Sequence, residues 1–521
     1  MARSRWMDSL VRTIRIATFC DQEGLPTREG LEAAVSRDRG AHLGRREVLL
    51  GSMGALAAGA LGAQGCAPEA GLGQAVGAAR AAGSVAVVGA GVAGLGCARE
   101  LERAGLSVAL FEAADRVGGR IWSMSDRFPG QVIERGGELI DTGHQTMRAW
   151  AREFNLELES LASLPGEVFY CFDGVRHPES AVVDEYRAFV PRMRDDLRTI
   201  GEPTADAFTP PEAALDRVSL AEYLDTRGAG PLIRQVIEQT YLIEYGIPIE
   251  EQSCLAFLNF IHADRRSRFV PYGVFSDERF HVVSGNEGIV RGLHASLSRP
   301  ATLGHRLVRV ARTAAGLVEL TFRVGSRTVV STHDAAVITV PFSVLRGVEM
   351  HASLALPAWK KQAIREFRYG TNTKLMVGFT SRPWAAQGNN GAAYSDLANL
   401  QSCWETNPSR ASSTAGVITD YTGGALGRSL STANTQADTA RFLANFEMAY
   451  PGSSARARRT AGGAYVAHLQ HWPSDPNTKG SYTANAPGYF TRIEGNEGKA
   501  VGNLFFAGET TDSFYSWQGF M

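Results

Sequence analysis

Residues 84–120, SVAVVGAGVAGLGCARELERAGLSVALFEAADRVGGR, decide how this chain is read. Val85 to Val88 form a short, uncharged apolar run, with the length and character of a buried parallel strand. Gly89, Gly91 and Gly94 follow it directly as G-x-G-x-x-G. In this pattern the first glycine permits a tight turn, the second lets backbone approach a pyrophosphate, and the third lets helix and strand pack closely. A helix is expected next, with Leu95, Ala98 and Leu101 on an apolar face and Arg99, Glu100, Glu102 and Arg103 turned to water. Gly105 ends it. A second strand, 108–111, closes on Glu112, eighteen residues beyond Gly94, where a carboxylate accepts both hydroxyls of a ribose. The helix N-terminus presents free N–H groups to the pyrophosphate. Strand, helix and acid at this spacing make a dinucleotide-binding unit, and Glu112 would repel a ribose carrying an additional phosphate.

Gly118, Gly119 and Arg120 sit just beyond the second strand, where two bare backbone units and a guanidinium can meet a phosphate. A G-G-R after the ribose acid resembles the glutathione-reductase-like FAD proteins, and above all the flavin-containing amine oxidase family, which includes monoamine, L-amino-acid and polyamine oxidases. The family's commoner wording has an Arg where this chain has Ala114. The resemblance runs through nearly all of 84–521. It implies an α/β fold: a Rossmann-type FAD-binding domain interleaved with an α+β substrate domain. The FAD part would collect 84–165, 280–348 and 463–521, and the substrate part 166–279 and 349–461.

The same resemblance assigns roles along the chain. IERGGELIDTGHQTM (133–147) corresponds to a Gly-rich strand end over the flavin, and HVVSGNEGIVRGL (281–293) to the return into the FAD domain. Leu307 would meet the adenine through its backbone. AAVITVPFSVL (335–345) reads as a buried strand ended by Pro341, which cannot donate to a ladder. Lys374, in TNTKLMVGF, is unusual because burying an ammonium is unfavourable. Either it points to solvent from an edge strand, or it matches the family lysine that holds a water at flavin N5. Ser481 stands where mammalian monoamine oxidases carry the flavin-linked cysteine, so FAD should be non-covalent. Tyr482 matches one wall of the aromatic cage, and Trp472 lines the same pocket. In NLFFAGETTDSFYSWQGFM (503–521), 504–507 reads as a strand, Gly508 gives close approach, and Glu509 matches the acid that accepts a ribityl hydroxyl. Gly519, Phe520 and Met521 match residues beneath the isoalloxazine, with Phe520 as the second cage wall. The family continues with a helix facing the flavin pyrimidine, whereas the sequence ends at Met521; a chain lacking that helix would bind flavin more weakly.

The other signals are compositional. The chain has 521 residues, 44% hydrophobic and 21% charged, with a formal net charge of −1. That length suits at least two domains, and that charge offers no basic field to nucleic acid. The six cysteines have neither metal-site nor disulfide-framework spacing and read as small buried hydrophobes. Residues 1–83 read as a leader. Arg45-Arg46 precede the uncharged run 48–63, which is too weakly apolar for a transmembrane span and resembles a twin-arginine (Tat) export signal. LGAQGCAPE resembles a lipoprotein cleavage site with Ala63 where Leu is usual, leaving a lipid anchor at Cys66 open. A periplasmic or extracellular location follows, with an uncleaved extension on a cytoplasmic protein as the alternative. An Ala/Gly-rich linker, 67–83, leads into the fold.

The resemblance implies an oxidase that converts a primary amine to an imine and returns the electrons to O2, giving hydrogen peroxide. Lys374, Tyr482 and Phe520 would carry the catalytic site. The family's L-amino-acid oxidases hold the substrate carboxylate with an Arg near the segment 136–141, which here contains no cation. Glu138 or Asp141 would instead attract the distal ammonium of a diamine, unless Asp141 simply caps a turn. The rivals are an L-amino-acid oxidase and a truncated flavin-binding relic without activity. A carotenoid desaturase or protoporphyrinogen oxidase shares the fold and the G-G-R, but Lys374 and Tyr482 argue against it.

Overall fold

A computed structural model describes residues 83–161, 167–264, 278–406 and 415–511. The expectations on Arg45-Arg46, Cys66, Phe520 and Met521 fall outside them. The fold is mixed α/β, and among the described residues no helix is long and apolar enough to cross a membrane.

Strand Ser84–Val88 lies at the centre of a four-stranded parallel sheet, between Ser107–Phe111 on one side and Ala335–Ile338 on the other. Leu504–Phe506 adds the fourth strand beside Ala335–Ile338. A parallel sheet is covered on both faces, which is why these strands are continuous apolar runs rather than alternating ones; Val85, Ala86, Val87 and Val88 are all buried. The register brings Val88 level with Phe111 and Ile338, and Ile338 level with Phe506. Gly89, Glu112, Thr339 and the Ala507–Gly508 turn therefore leave the sheet from one edge, the carboxyl end where doubly wound sheets bind ligands.

Helix Val92–Arg103 follows the first strand, and Gly105, at φ +83°, takes the left-handed position behind it. The expected helix face needs one correction. Arg99 is buried, its guanidinium pairing with Glu153 and lying over the Phe154 ring. Helix Gln145–Glu153 supplies that carboxylate, so Arg99 marks a packing contact rather than a solvated face. A second correction concerns 335–345. The strand ends at Ile338, three residues before Pro341, because Thr339 turns the chain by donating Oγ1 to the Val88 and Gly89 carbonyls (3.0 and 3.1 Å). Pro341 opens the short helix Phe342–Leu345 instead.

A seven-stranded mixed sheet forms the other layer, in the order Ala467–His471, Thr373–Phe379, Gly416–Thr422, Ser402–Glu405, Asn389–Ser395, Glu167–Phe172, Val175–His177. Strand Thr373–Phe379 is interior, antiparallel to both neighbours, which removes the reading of Lys374 as an edge residue facing solvent. The two faces of this strand separate by alternation. Leu375, Val377 and Phe379 pack with Trp384, Phe442 and Phe446. Met376, on the Lys374 face, packs with Phe128, Ile133 and Val417. Lys374 thus points towards the Gly-rich segment 133–141. The helix Glu179–Thr199 buries Val182, Val183, Tyr186, Phe189, Met193 and Leu197, the apolar stripe expected of an amphipathic cover.

Candidate active site

At the carboxyl edge of the parallel sheet lies a cleft of about 280 Å³. Gly89, Gly91, Glu112, Gly119, Arg120, Leu307, Gly508 and Glu509 all line it. Residues from both ends of the described chain therefore meet around one cavity. Gly94 stands behind it: a Cβ there would come within 1.8 Å of the Gly89 carbonyl oxygen. That contact explains the third glycine of the motif, since the helix start could not otherwise lie so close to the turn. Gly89 itself has φ +108°, a conformation open to glycine, and a Cβ would meet Thr339 Oγ1 at 2.4 Å.

Glu112 is held in place by backbone. Ala90 N–H donates to its Oε2 (2.7 Å) and Ala114 N–H to its Oε1 (2.8 Å). The absent arginine at position 114 has a neighbouring counterpart that the sequence reading missed. Arg116 lines the cleft, stacks on Trp122 at 3.9 Å and donates to the Gly119 carbonyl (2.5 Å). His305, Asp475 and Asn477, also absent from the sequence reading, border the same cavity.

Arg120 bridges the two halves of the chain. Its Nη1 donates to Glu509 Oε1 and to the Ser481 carbonyl, each at 2.9 Å. Glu509 takes a further bond from Thr483 Oγ1 (2.6 Å). Burial pushes the Glu509 carboxyl up, but the Arg120 cation and the Thr483 bond outweigh burial and leave it below the ordinary range. Ser481 Oγ donates to Asn372 Oδ1 (2.6 Å) and is fully enclosed.

The far side of this junction is an acid-rich aromatic wall. Lys374 Nζ donates to Glu138 Oε2 (2.6 Å), Gly136 O (3.0 Å) and Glu134 O (3.3 Å). Trp404 Nε1 donates to the other Glu138 oxygen, Oε1 (3.0 Å), and its ring meets that of Tyr421 edge-on at 5.4 Å. Tyr421, in register with Lys374, donates its hydroxyl to the Tyr482 hydroxyl (3.1 Å). Burial raises both phenols well above the usual tyrosine range, and the carboxylates of Glu244 and Glu278 add to it. Burial also pushes the Glu134 carboxyl up to about 8, against bonds from the Asn286 N–H and the Ser123 hydroxyl.

The remaining expected residues fall around this wall. Trp472 is buried against Gly136 and donates Nε1 to the Arg135 carbonyl (3.1 Å). Asp141 accepts the Glu278 N–H on Oδ1 (2.6 Å) and lies 3.4 Å from His144 Nε2, tying a turn ahead of helix Gln145–Glu153. Glu138, read from sequence as a substrate-attracting acid, is engaged with Lys374 and Trp404. No role was assigned to Trp404 or Tyr421 from sequence. The only local hint was a Trp and a Tyr inside short strand-like runs.

The donor set fits a flavin dinucleotide: the glycine cradle is open where a Cβ would block it, and an acid, two guanidinium groups and a second acid line one cleft. Comparison with known proteins agrees. The family model described as flavin containing amine oxidoreductase matches residues 92–518. An L-amino-acid oxidase of Pseudechis australis is 22% identical over 442 residues, covering 83% of each chain. One of Siganus canaliculatus is 24% identical over 447 residues, 83% of this chain and 82% of that one. Among solved structures, cyclohexylamine oxidase from Brevibacterium oxydans IH-35A superposes with a TM-score of 0.70 at 20% identity, covering 84% of this chain and 95% of that one. Putrescine oxidase bound to putrescine gives 0.68 at 21% identity, covering 84% and 96%.

Proposed function

The chain belongs to the flavin-containing amine oxidoreductase family, and from that premise we propose that it oxidises primary amines, diamines included, using non-covalent FAD and O2. The overall reaction takes amine, O2 and water to aldehyde, ammonia and hydrogen peroxide, the imine hydrolysing in water. When bound, FAD would supply the redox chemistry, as the two-electron acceptor for the carbon bearing the amine that O2 then reoxidises.

The supporting observation is the charge around the Tyr421–Tyr482 pair. Lys374, the cation set in the sheet beside Tyr421, is neutralised by Glu138, and Glu244 and Glu278 add negative field to both phenols. A substrate α-carboxylate would meet acids there, whereas the distal, non-reacting ammonium of a diamine is attracted. The neutral phenols and Trp404 form a dry wall that favours the amine with its lone pair free. Phe520 would complete the cage from the opposite side. Gly89, Gly91, Glu112, Gly119, Arg120, Leu307, Gly508, Glu509 and Met521 would hold the cofactor, with Gly94 keeping the cradle tight. Ser481 has no thiol to link, so acid precipitation should release all flavin into the supernatant. The interleaved division into FAD and substrate parts, and export through Arg45-Arg46, belong to the same reading.

The second reading, an L-amino-acid oxidase, rests on the names of the sequence relatives. Anaerobic mixing decides between them. Bleaching of the flavin by monoamines or diamines, and not by L-amino acids, is the expected result; bleaching by L-amino acids alone rejects the proposal.

A further inference from the structure

Asn372 is fully enclosed and its amide joins two segments that are far apart in sequence. Its Nδ2 donates to the Ile243 carbonyl (2.6 Å), in the last turn of helix Pro231–Tyr245. The last carbonyls of a helix lack partners within it. Gly246 N–H turns back to the Leu242 carbonyl (2.8 Å), and Asn372 satisfies the next one. On its other side Asn372 Oδ1 accepts from Ser481 Oγ (2.6 Å), and the Asn372 N–H donates to the same hydroxyl (3.4 Å). Gly370 is where these groups converge. A Cβ there would lie 2.3 Å from the Tyr245 carbonyl oxygen, 2.6 Å from Ser481 Oγ and 2.7 Å from Asn372 Oδ1. The helix end and the Ser481 loop are therefore held together through one side chain.

Each end of this bridge stands next to a residue of the substrate wall. Glu244 follows Ile243, is 1% exposed, and its field reaches the phenols of Tyr421 and Tyr482. Tyr482 follows Ser481, whose carbonyl is held from the cofactor cleft by Arg120 (2.9 Å). Resting on the amine-oxidase reading, we propose that Asn372 is a positioning residue for substrate selectivity: it fixes the Glu244 turn against the Tyr482 loop, where the distal ammonium of a diamine is drawn. A displacement of about 1 Å between two such groups is enough to lose most of what they do together. The reacting amine lies at the phenols, so a monoamine makes little demand on the bridge. Asn372 thus acts through Glu244 and Tyr482, and chiefly on diamines.

Asn372→Ala removes both bonds of the bridge, and Ser481→Ala removes the loop-side bond alone. In anaerobic stopped-flow reduction, the dissociation constant of putrescine should rise about tenfold in each variant, and that of n-butylamine less than about threefold. A hydrogen bond to a charged group is worth about a factor of ten or more. The double variant should be within about twofold of Asn372→Ala, because the bridge is already broken. Hydrogen exchange of the holoprotein, read by mass spectrometry, tests the bridge without turnover. In Ser481→Ala, exchange should quicken at the helix end, Tyr245 and Gly246, although the substitution lies in another loop, while strand Ser84–Val88 stays protected. Equal rises for both amines, or exchange that quickens in strand and helix end alike, overturns the proposal. Should Asn372→Ala fail to fold, Ser481→Ala decides alone. Failure of both to fold with FAD also overturns it, since the bridge would then serve the fold rather than selectivity. A parent protein that no amine bleaches would sink the proposed function, and the exchange pattern would still decide whether the bridge couples the two segments.

Discussion

Arg120 Nη1 stands 2.9 Å from Glu509 Oε1, joining residues 389 positions apart at the floor of the dinucleotide cleft. Their side chains are 11% and 1% exposed, so the pair is screened little by solvent. Breaking a buried pair by removing one partner typically costs about 3–5 kcal/mol. Arg120→Met should show a loss of that size in urea unfolding. The depressed Glu509 carboxyl fixes the sign with pH. A lowered folded-state pKa contributes stability above the unfolded value of about 4.3, lost as pH falls through the folded value. The stability gap between parent and Glu509→Gln should be widest near neutrality and close under acid. A gap independent of pH would mean that Glu509 is not held ionised by Arg120.

Gly94→Ala would set a Cβ 1.8 Å from the Gly89 carbonyl oxygen, a backbone atom that cannot swing aside. The expected loss is about 4 kcal/mol or more, enough to leave the protein insoluble or colourless. Gly105→Ala is the control: its φ of +83° carries strain of roughly 1–2 kcal/mol, but nothing lies within 4 Å of the added Cβ. Gly105→Ala should stay soluble and yellow, with a melting temperature lowered by several degrees. Equal behaviour of the two variants would contradict the tight packing at Gly94.

Glu112 offers a sharper test of the cofactor. Its two oxygens are already steered by the N–H groups of Ala90 and Ala114, so the carboxylate meets a ribose without reorganising. A hydrogen bond to a charged group is worth about 1.5–3 kcal/mol. Glu112→Gln should therefore weaken FAD binding to the apoprotein about 10- to 100-fold in a flavin-fluorescence titration, leaving the far-ultraviolet circular dichroism unchanged. Undiminished affinity would place the ribose elsewhere.

Legibility in the sequence followed range. The unit 84–120 could be read because its internal contacts, such as Gly89 N–H to the Phe111 carbonyl, Gly118 N–H to the Ala90 carbonyl and Ala90 N–H to Glu112, close within the segment, and glycine spacing records backbone geometry directly. Arg99 was misread for the opposite reason: its partner Glu153 comes from another helix, and a charged residue beside an apolar stripe gives no local sign of being covered. Trp404 and Tyr421 reach the candidate site only because Cys403 pairs with Asp420 and Tyr421 with Lys374 across two strand ladders. Glu138 shows the same limit. Its acidity suggested a substrate ammonium, but the ammonium it meets belongs to the chain itself. Arg116 had the plainest local signal, a cation two residues before Gly118-Gly119, and was masked by the family's preference for an arginine at position 114.

Glu134 carries the last expectation. It is fully enclosed, and burial pushes its carboxyl up to about 8 despite bonds from Asn286 N–H and Ser123 Oγ. The folded chain then keeps a proton that the unfolded chain has released above about 4.3, so this group's contribution to stability is complete below that value and declines as pH rises towards 8. Glu134→Gln reproduces the protonated shape, with an amide that can accept from Asn286 and donate to Ser123, and it removes the decline. The variant should match the parent at pH 4 and exceed it at pH 9. The gain is at most about 5 kcal/mol, because each tenfold difference in proton affinity between folded and unfolded chain is worth about 1.36 kcal/mol. Thermal melts of both proteins at the two pH values suffice. Parallel curves, with no relative gain at pH 9, would show that the parent's Glu134 is ionised throughout and that Lys374 lies between two carboxylates rather than beside one.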